Sequence, residues 1–301
     1  MTSLSTEWTD EPFTHPPVAV GTGPFPESAF LETWWRHQGG TDRLALVTSD
    51  AGALPLRVSE GTVMFCGDAD LTDYHSPLGD PRVAIEAVSE TFRGHQFSFD
   101  SLPEEAASVL GDALEAGGHE FTSTRESMTA VIDLPDDPEA WLAALRKKDR
   151  HEIRRKRRRF SAILGEASLE RRSDQAAVTL FAEMHRSASG NKAGFMSQER
   201  EAFFSDLIGY AGATIDVLVT ERGPIAAAFA FDRNDGYFLY NSAYTPEAAA
   251  SSPGIVLLAT VIEMLIAKQT VRLDLLKGNE AYKFRLGAAA RPLYRIEGTF
   301  A

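Results

Sequence analysis

The chain has 301 residues, 44% hydrophobic and 24% charged, a globular composition that excludes a wholly disordered, collagenous or coiled-coil protein and gives room for one large domain or two smaller ones. Its net charge of -13 excludes a whole-surface nucleic-acid footprint, yet ten of the fourteen residues from Arg146 to Arg159 are Lys or Arg, so this stretch carries +8 against -21 for the remainder. The lone Cys66 excludes an internal disulfide or a cysteine zinc knuckle, Met1 to Pro17 lacks the pattern of a secretory signal, and the longest apolar run, Gly254 to Ala267, contains Glu263 and is too short to span a bilayer, so a cytoplasmic protein with no integral membrane segment is expected.

In chain order, Phe30, Leu31, Trp34 and Trp35 fall at helical spacing between Pro26 and His37, and Gly39-Gly40 ends the pattern. Arg43 to Thr48, Ala53 to Val58 and Thr62 to Cys66 then read as a meander with tight turns. A helix over Pro81 to Phe92, an extended run Gln96 to Phe99, a helix over Pro103 to Ala116 and an extended run Phe121 to Leu134 complete the first half. The second half repeats the order: helices at Gln175 to Ser187 and Gln198 to Tyr210, a meander of Thr214 to Thr220, Ile225 to Phe231 and Tyr237 to Tyr244, a helix over Pro253 to Lys268, a strand Val271 to Leu276, a helical segment near Tyr282 to Leu286 and a last strand Tyr294 to Phe300. Two copies of one order predict an α/β fold with mixed sheets in two tandem domains, 1–135 and 136–301, divided at the acidic, proline-bounded link Leu134-Pro135-Asp136-Asp137-Pro138.

A strand, helix, strand run predicts a right-handed crossover with Tyr237 to Tyr244 parallel to Val271 to Leu276, and ligands favour the carboxyl ends of such strands. There Ser251 or Ser252 can cap, Pro253 suits the first helical position, and Gly254 offers an amide with no side chain in the way. Such a helix end suits an anion such as a pyrophosphate, although an ordinary capped helix has the same signature. The helix that follows is apolar nearly all round and is expected to be buried.

The series Tyr244-Thr-Pro-Glu, Ser252-Pro253-Gly254, an apolar helix, Asp274, Gly278, Glu280 and Tyr282-Lys283 resembles the BioF2-like or CelD-like acyltransferase family of the GNAT superfamily, which is related to the Fem-type aminoacyl transferases of peptidoglycan synthesis. Trp34-Trp35, Leu54-Pro55-Leu56 and Asp73-Tyr74 extend the likeness into the first half. The resemblance implies two GNAT-like domains, the second an acyltransferase that uses acetyl-CoA or another acyl-CoA on a sugar, amino sugar or small cell-envelope precursor. Ser252, Pro253 and Gly254 would then meet the pyrophosphate, and Asn241, Ser242, Ala243 and Tyr244 would line the pantetheine arm. The glycine-rich loop of ordinary GNAT enzymes is absent, since Ala248 to Gly254 stands in its place. The alternatives are a Fem-like transfer from aminoacyl-tRNA and a GNAT-derived binding module without catalysis.

Acyl transfer to an amine needs a proton acceptor, a clamp on the thioester oxygen and an acid for the leaving thiolate. Glu280 and Asp274 are the candidates for base or substrate anchor, Tyr282 for the acid, and Lys283 for pairing with a carboxylate or phosphate, against a structural Asp274–Lys283 ion pair. Asp73 and Tyr74 are acceptor-binding candidates, with a satisfied turn as the plain alternative. His185 reads as packed or exposed, and no second histidine at metal-ligand spacing accompanies it. In the basic segment Trp141, Leu142, Leu145, Ile153 and Phe160 fall near one helical stripe, leaving Arg150, Arg154 and Arg155 to attract an anionic or nucleotide-linked ligand, to bind tRNA, or merely to solvate a face.

Overall fold

The computed structural model describes residues 2–188, 194–210 and 212–301. The chain divides into two compact units, Met1–Thr129 with Arg291–Ala301, and Ala130–Ala290. The elements of the first unit are β1 (Ser3–Ser5), α1 (Ser28–Gln38), the meander β2 (Arg43–Thr48), β3 (Gly52–Ser59) and β4 (Thr62–Phe65), then β5 (Leu78–Gly79), α2 (Arg82–Thr91), β6 (Gln96–Pro103), α3 (Glu104–Ala116) and β7 (Phe121–Asp133), whose last residues enter the second unit. The meander pairs antiparallel, Leu46 opposite Pro55 and Leu56 opposite Phe65, while β4 and β6 run parallel with Thr62 opposite Gln96. Val47, Leu54, Val63, Phe97 and Phe99 are buried from the strands, and Ile85, Val88, Leu110 and Leu114 from α2 and α3 close this core.

The second unit contains α4 (Pro138–Ala144), α5 (Lys147–Leu164), β8 (Ala167–Arg172), α6 (Gln175–Ser187), α7 (Gln198–Leu207), β9 (Ala213–Thr220), β10 (Gly223–Arg233), β11 (Gly236–Tyr244), a 3-10 turn Pro246–Ser251, α8 (Pro253–Ala267), β12 (Arg272–Lys277) and α9 (Ala281–Arg285). Its strands lie in the order β12-β11-β10-β9-β8, with β11 and β12 parallel and the other pairs antiparallel. Alternation along β10 sorts the two faces: Ala226, Ala228 and Ala230 join the core under α8, where small residues let the helix sit close, and Phe229 meets Phe181 of α6 and Phe204 of α7 on the other side. Each copy therefore has the expected meander, helix and parallel strand.

Three features depart from the sequence reading. The last strand, β13 (Ala289–Thr299), pairs antiparallel with β6 and contributes Ile296 to the first core, with Phe300 beside it, so residues 291–301, assigned to the second half, complete the first unit. The apolar stripe from Trp141 to Phe160 is split over two helices, because Leu145 and Arg146 leave helical geometry, and the basic run follows in α5. Asp137 starts α4 by accepting the Ala140 N–H at 2.9 Å, and Arg150 ends it by donating to the carbonyls of Leu142, Ala143 and Leu145. Strand β8 was not foreseen; its Arg171 pairs with the buried Asp216, to which the Tyr237 hydroxyl also donates at 2.8 Å.

Candidate active site

Parallel strands β11 and β12 pair only at Tyr237 with Leu273 and Phe238 with Asp274; beyond these residues they separate. On β11 the cause is a bulge that places Asn241 opposite Phe229 and Leu239 opposite Ala230, leaving Tyr240 as the extra residue. On β12 it is Leu276, whose φ of 57° is left-handed and costs about 1–2 kcal/mol for a non-glycine residue. Two side chains hold that bend. The fully buried Asp274 accepts the Leu276 N–H at 2.9 Å and pairs with Arg272 at 3.1 Å. Lys283, 3% exposed, donates to the carbonyl of Leu276 at 3.1 Å and to that of Lys277, and pairs with Glu280 at 3.1 Å. In place of the alternative of a direct Asp274–Lys283 pair, the two side chains make separate anchors at the end of one strand.

Beside the separated strands lies a cavity of about 350 Å³ lined by Ser242 and Tyr244 of β11, Ala249, Ser252, Pro253, Gly254, Ile255 and Leu258 of the turn and α8, Tyr282 of α9 and Lys156 of α5. Its volume falls in the range of small-molecule sites. Ser252 caps α8 in the left-handed conformation, φ 58°, with its carbonyl accepting the N–H groups of Ile255 and Val256, and no side chain caps this end. Pro253 has no N–H, so Gly254 carries the first amide of the helix, at its positive end. A Cβ on Gly254 would stand 3.8 Å from the Tyr244 ring, so the bare backbone keeps the cavity open there. Burial, with the Glu280 charge adding to it, pushes the Tyr282 phenol up to about 12, which keeps it protonated at neutral pH.

A smaller cavity of about 80 Å³ shares Ser242, Tyr244 and Ala249 with the first and is bordered by His185, Ala188, Ala243 and Pro246. His185 is buried, and its Nε2 lies 2.9 Å from Asn241 Oδ1. That oxygen already accepts the Ser242 N–H at 2.7 Å, so Nε2 carries the proton and donates. The structure brings Asn241 to this histidine, and no sequence signal links the two.

Of the residues expected at the site, Ser242, Tyr244, Ser252, Pro253, Gly254 and Tyr282 line the larger cavity, and Ala243 lines the smaller one. The Glu280 side chain is 54% exposed and lies outside both linings. Arg150 caps α4, Arg154 reaches Glu139 at 3.4 Å, and Arg155 grips Glu152 at 2.9 and 2.7 Å, so none of these three faces the cavity. Lys156 does, a residue the sequence reading passed over. In the first unit Asp73 is half-buried and Tyr74 is fully buried with its hydroxyl 2.6 Å from Thr129 Oγ1, and neither lines the two cavities described above.

The first unit has its own parallel pair, β4 and β6, but the chain itself fills the gap beyond it. His75 donates its N–H to the Ser101 carbonyl at 3.0 Å, its Nδ1 lies 3.0 Å from the Asp100 carbonyl, and its ring stacks on Phe65. Packing is close enough that a Cβ on Gly67 would lie 2.6 Å from His75 Nε2. Among the described residues no group of three His, Cys, Asp or Glu is arranged to hold a metal ion, and no helix is long and apolar enough to cross a membrane.

No curated protein matches the sequence. Residues 147–284 match the family model described as acetyltransferase (GNAT) domain. Among solved structures, a conserved protein of unknown function from Bacteroides thetaiotaomicron is 14% identical with a TM-score of 0.63, covering 99% of this chain and 100% of its own. FemX is 11% identical with a TM-score of 0.62, over 98% of this chain and 96% of its own. A tandem GNAT protein from the clavulanic acid biosynthesis pathway is 14% identical with a TM-score of 0.50, over 96% and 91%. At these identities the structural likeness speaks for the fold, and the family match covers the segment that builds the cavity. Residues 147–284 carry the likeness to an acetyltransferase (GNAT) domain, and that match supports a GNAT-type acyltransferase.

Proposed function

We propose that the second unit transfers an acyl group from acetyl-CoA or another acyl-CoA to the amine or hydroxyl of a small acceptor, a sugar, amino sugar or cell-envelope precursor, as in the BioF2-like or CelD-like branch of the superfamily. The observation that carries this reading is the cavity beside the parted strands β11 and β12, whose lining includes both the uncapped start of α8 and the Tyr282 phenol. The Gly254 amide and the positive end of α8 suit the donor's diphosphate, and the free edge of β11 from Asn241 to Tyr244 suits its amide-bearing arm. Tyr282 gives its proton to the departing thiolate. Glu280, the one of the two candidate carboxylates that stays exposed, takes the acceptor's proton or anchors its ammonium, while Asp274 and Lys283 act by holding β12.

Titration calorimetry of the full chain with acetyl-CoA and longer acyl-CoA thioesters tests the reading, with Gly254→Val as the variant that places a branched side chain in the cavity. Binding by the parent and its loss in the variant at unchanged thermal stability are expected. No binding of any CoA thioester up to millimolar concentration would defeat the proposal, and binding without turnover over a broad panel of amines and hydroxyls would make the domain a binding module. The exposed Lys147, Lys148, Arg158 and Arg159 of α5 favour a second reading, with aminoacyl-tRNA as the donor. A tRNA complex that weakens steeply with salt would promote it.

A further inference from the structure

Lys156 is the one formally charged residue lining the larger cavity, in a chain whose net charge is -13. Its place follows from helix geometry. Ile153 and Phe160 are the buried anchors of α5, three residues before and four after Lys156, so Lys156 points to the same side, whereas Arg154, Arg155, Arg158 and Arg159 stay exposed. Arg157 fixes the helix beside α8 through Glu263 at 2.6 Å. The carboxylate nearest to Lys156, that of Glu152, is 3.8 Å away and already holds Arg155 through two hydrogen bonds. No carboxylate lines the cavity beside it.

We infer that Lys156 recognises the diphosphate of the acyl donor and so selects nucleotide-linked thioesters over simple ones. This rests on the reading of the cavity as the donor site and adds to it a residue, a ligand group and a specificity. A flexible ammonium serves as a point charge for a phosphate whose remaining oxygens face the Gly254 amide, a division of labour between side chain and backbone. The +8 segment thereby acquires a defined role through a single member, while Arg150, Arg154 and Arg155 serve the helices themselves.

Calorimetry on the full chain compares acetyl-CoA, 3'-dephospho-acetyl-CoA and S-acetylpantetheine, which lacks phosphate, using Lys156→Gln and, as a charge-matched control on the outer face, Arg159→Gln. Lys156→Gln is expected to weaken acetyl-CoA and its dephospho form alike by about ten- to a hundred-fold, the scale of a lost charged hydrogen bond, and to flatten the salt dependence. S-acetylpantetheine should bind both forms equally, Arg159→Gln should stay within about twofold of the parent, and Lys156→Arg should recover part of the loss. Unchanged affinity of Lys156→Gln for acetyl-CoA overturns the inference and leaves the donor site standing. An equal loss for S-acetylpantetheine assigns Lys156 to packing, and a loss confined to acetyl-CoA assigns it to the 3'-phosphate; either overturns the diphosphate role. A parent that binds no CoA thioester fails the donor reading itself, and this inference with it.

Discussion

Replacing Lys283 by Met keeps most of the unbranched stem and removes the ammonium, so it separates a structural role from a catalytic one. The ammonium is buried and donates to two carbonyls at the end of β12, where charged hydrogen bonds are worth about 1.5–3 kcal/mol each. Its third partner, Glu280, is more than half exposed and contributes little. Relief from desolvating a charge offsets part of the loss, leaving a net cost of about 2–4 kcal/mol. For a domain of this size that lowers Tm by roughly 5–15 °C. Differential scanning calorimetry reads the shift, and donor titration below the new Tm reads the consequence: without its anchor the bend at Leu276 relaxes and affinity falls with stability. A variant with parental Tm and full donor binding but no turnover would refute this reasoning and return Lys283 to the chemistry.

Burial pushes the Cys66 thiol far up, so a thiol reagent at pH 8 should leave it unmodified until the first unit unfolds; rapid labelling of the native chain would contradict its placement. Burial lowers the pKa of His119, whose Nδ1 accepts the Ala301 N–H at 3.2 Å, so this contribution to stability is full above pH 6.5 and fades as pH falls through the lower folded value. His119→Asn should flatten that acid limb in denaturation curves recorded from pH 8 to pH 4, and an unchanged limb would count against the assignment. Because the first unit fills its own β4–β6 gap with Tyr74 and His75, a CoA thioester should bind once per chain. Two sites by equilibrium dialysis would mean that this segment gives way. Tyr282→Phe should lower kcat with little change in KM or Tm, and an unaffected kcat would remove the phenol from the proton path.

The elements that proved legible are those whose signal is local. Turn residues set off both meanders, and Ser252-Pro253-Gly254 declared a helix start that the structure places on the cavity. Lys156 was legible in principle, since the Ile153 and Phe160 stripe marks the inner side of α5, but ten cations in fourteen residues hid the one that shares it. The partners of Asp274 and Lys283 were not, because a left-handed leucine gives no sign in sequence and both side chains serve the backbone around it. The return of β13 was equally silent. Strand periodicity reports a buried face and says nothing of which edge will receive it.

That return makes the second unit an insertion, 130–290, within a first unit built from both ends of the sequence. Until residues 291–301 are synthesised, β6 lacks its antiparallel partner and the first core lacks Ile296 and Phe300. The acyltransferase segment is therefore the part that can finish folding first on the ribosome, with the first unit waiting as an open-edged sheet for the final strand. The Arg291 bonds to the Val20 and Gly21 carbonyls and to Glu105 wait on the same segment, so the unit that is begun first is the one completed last.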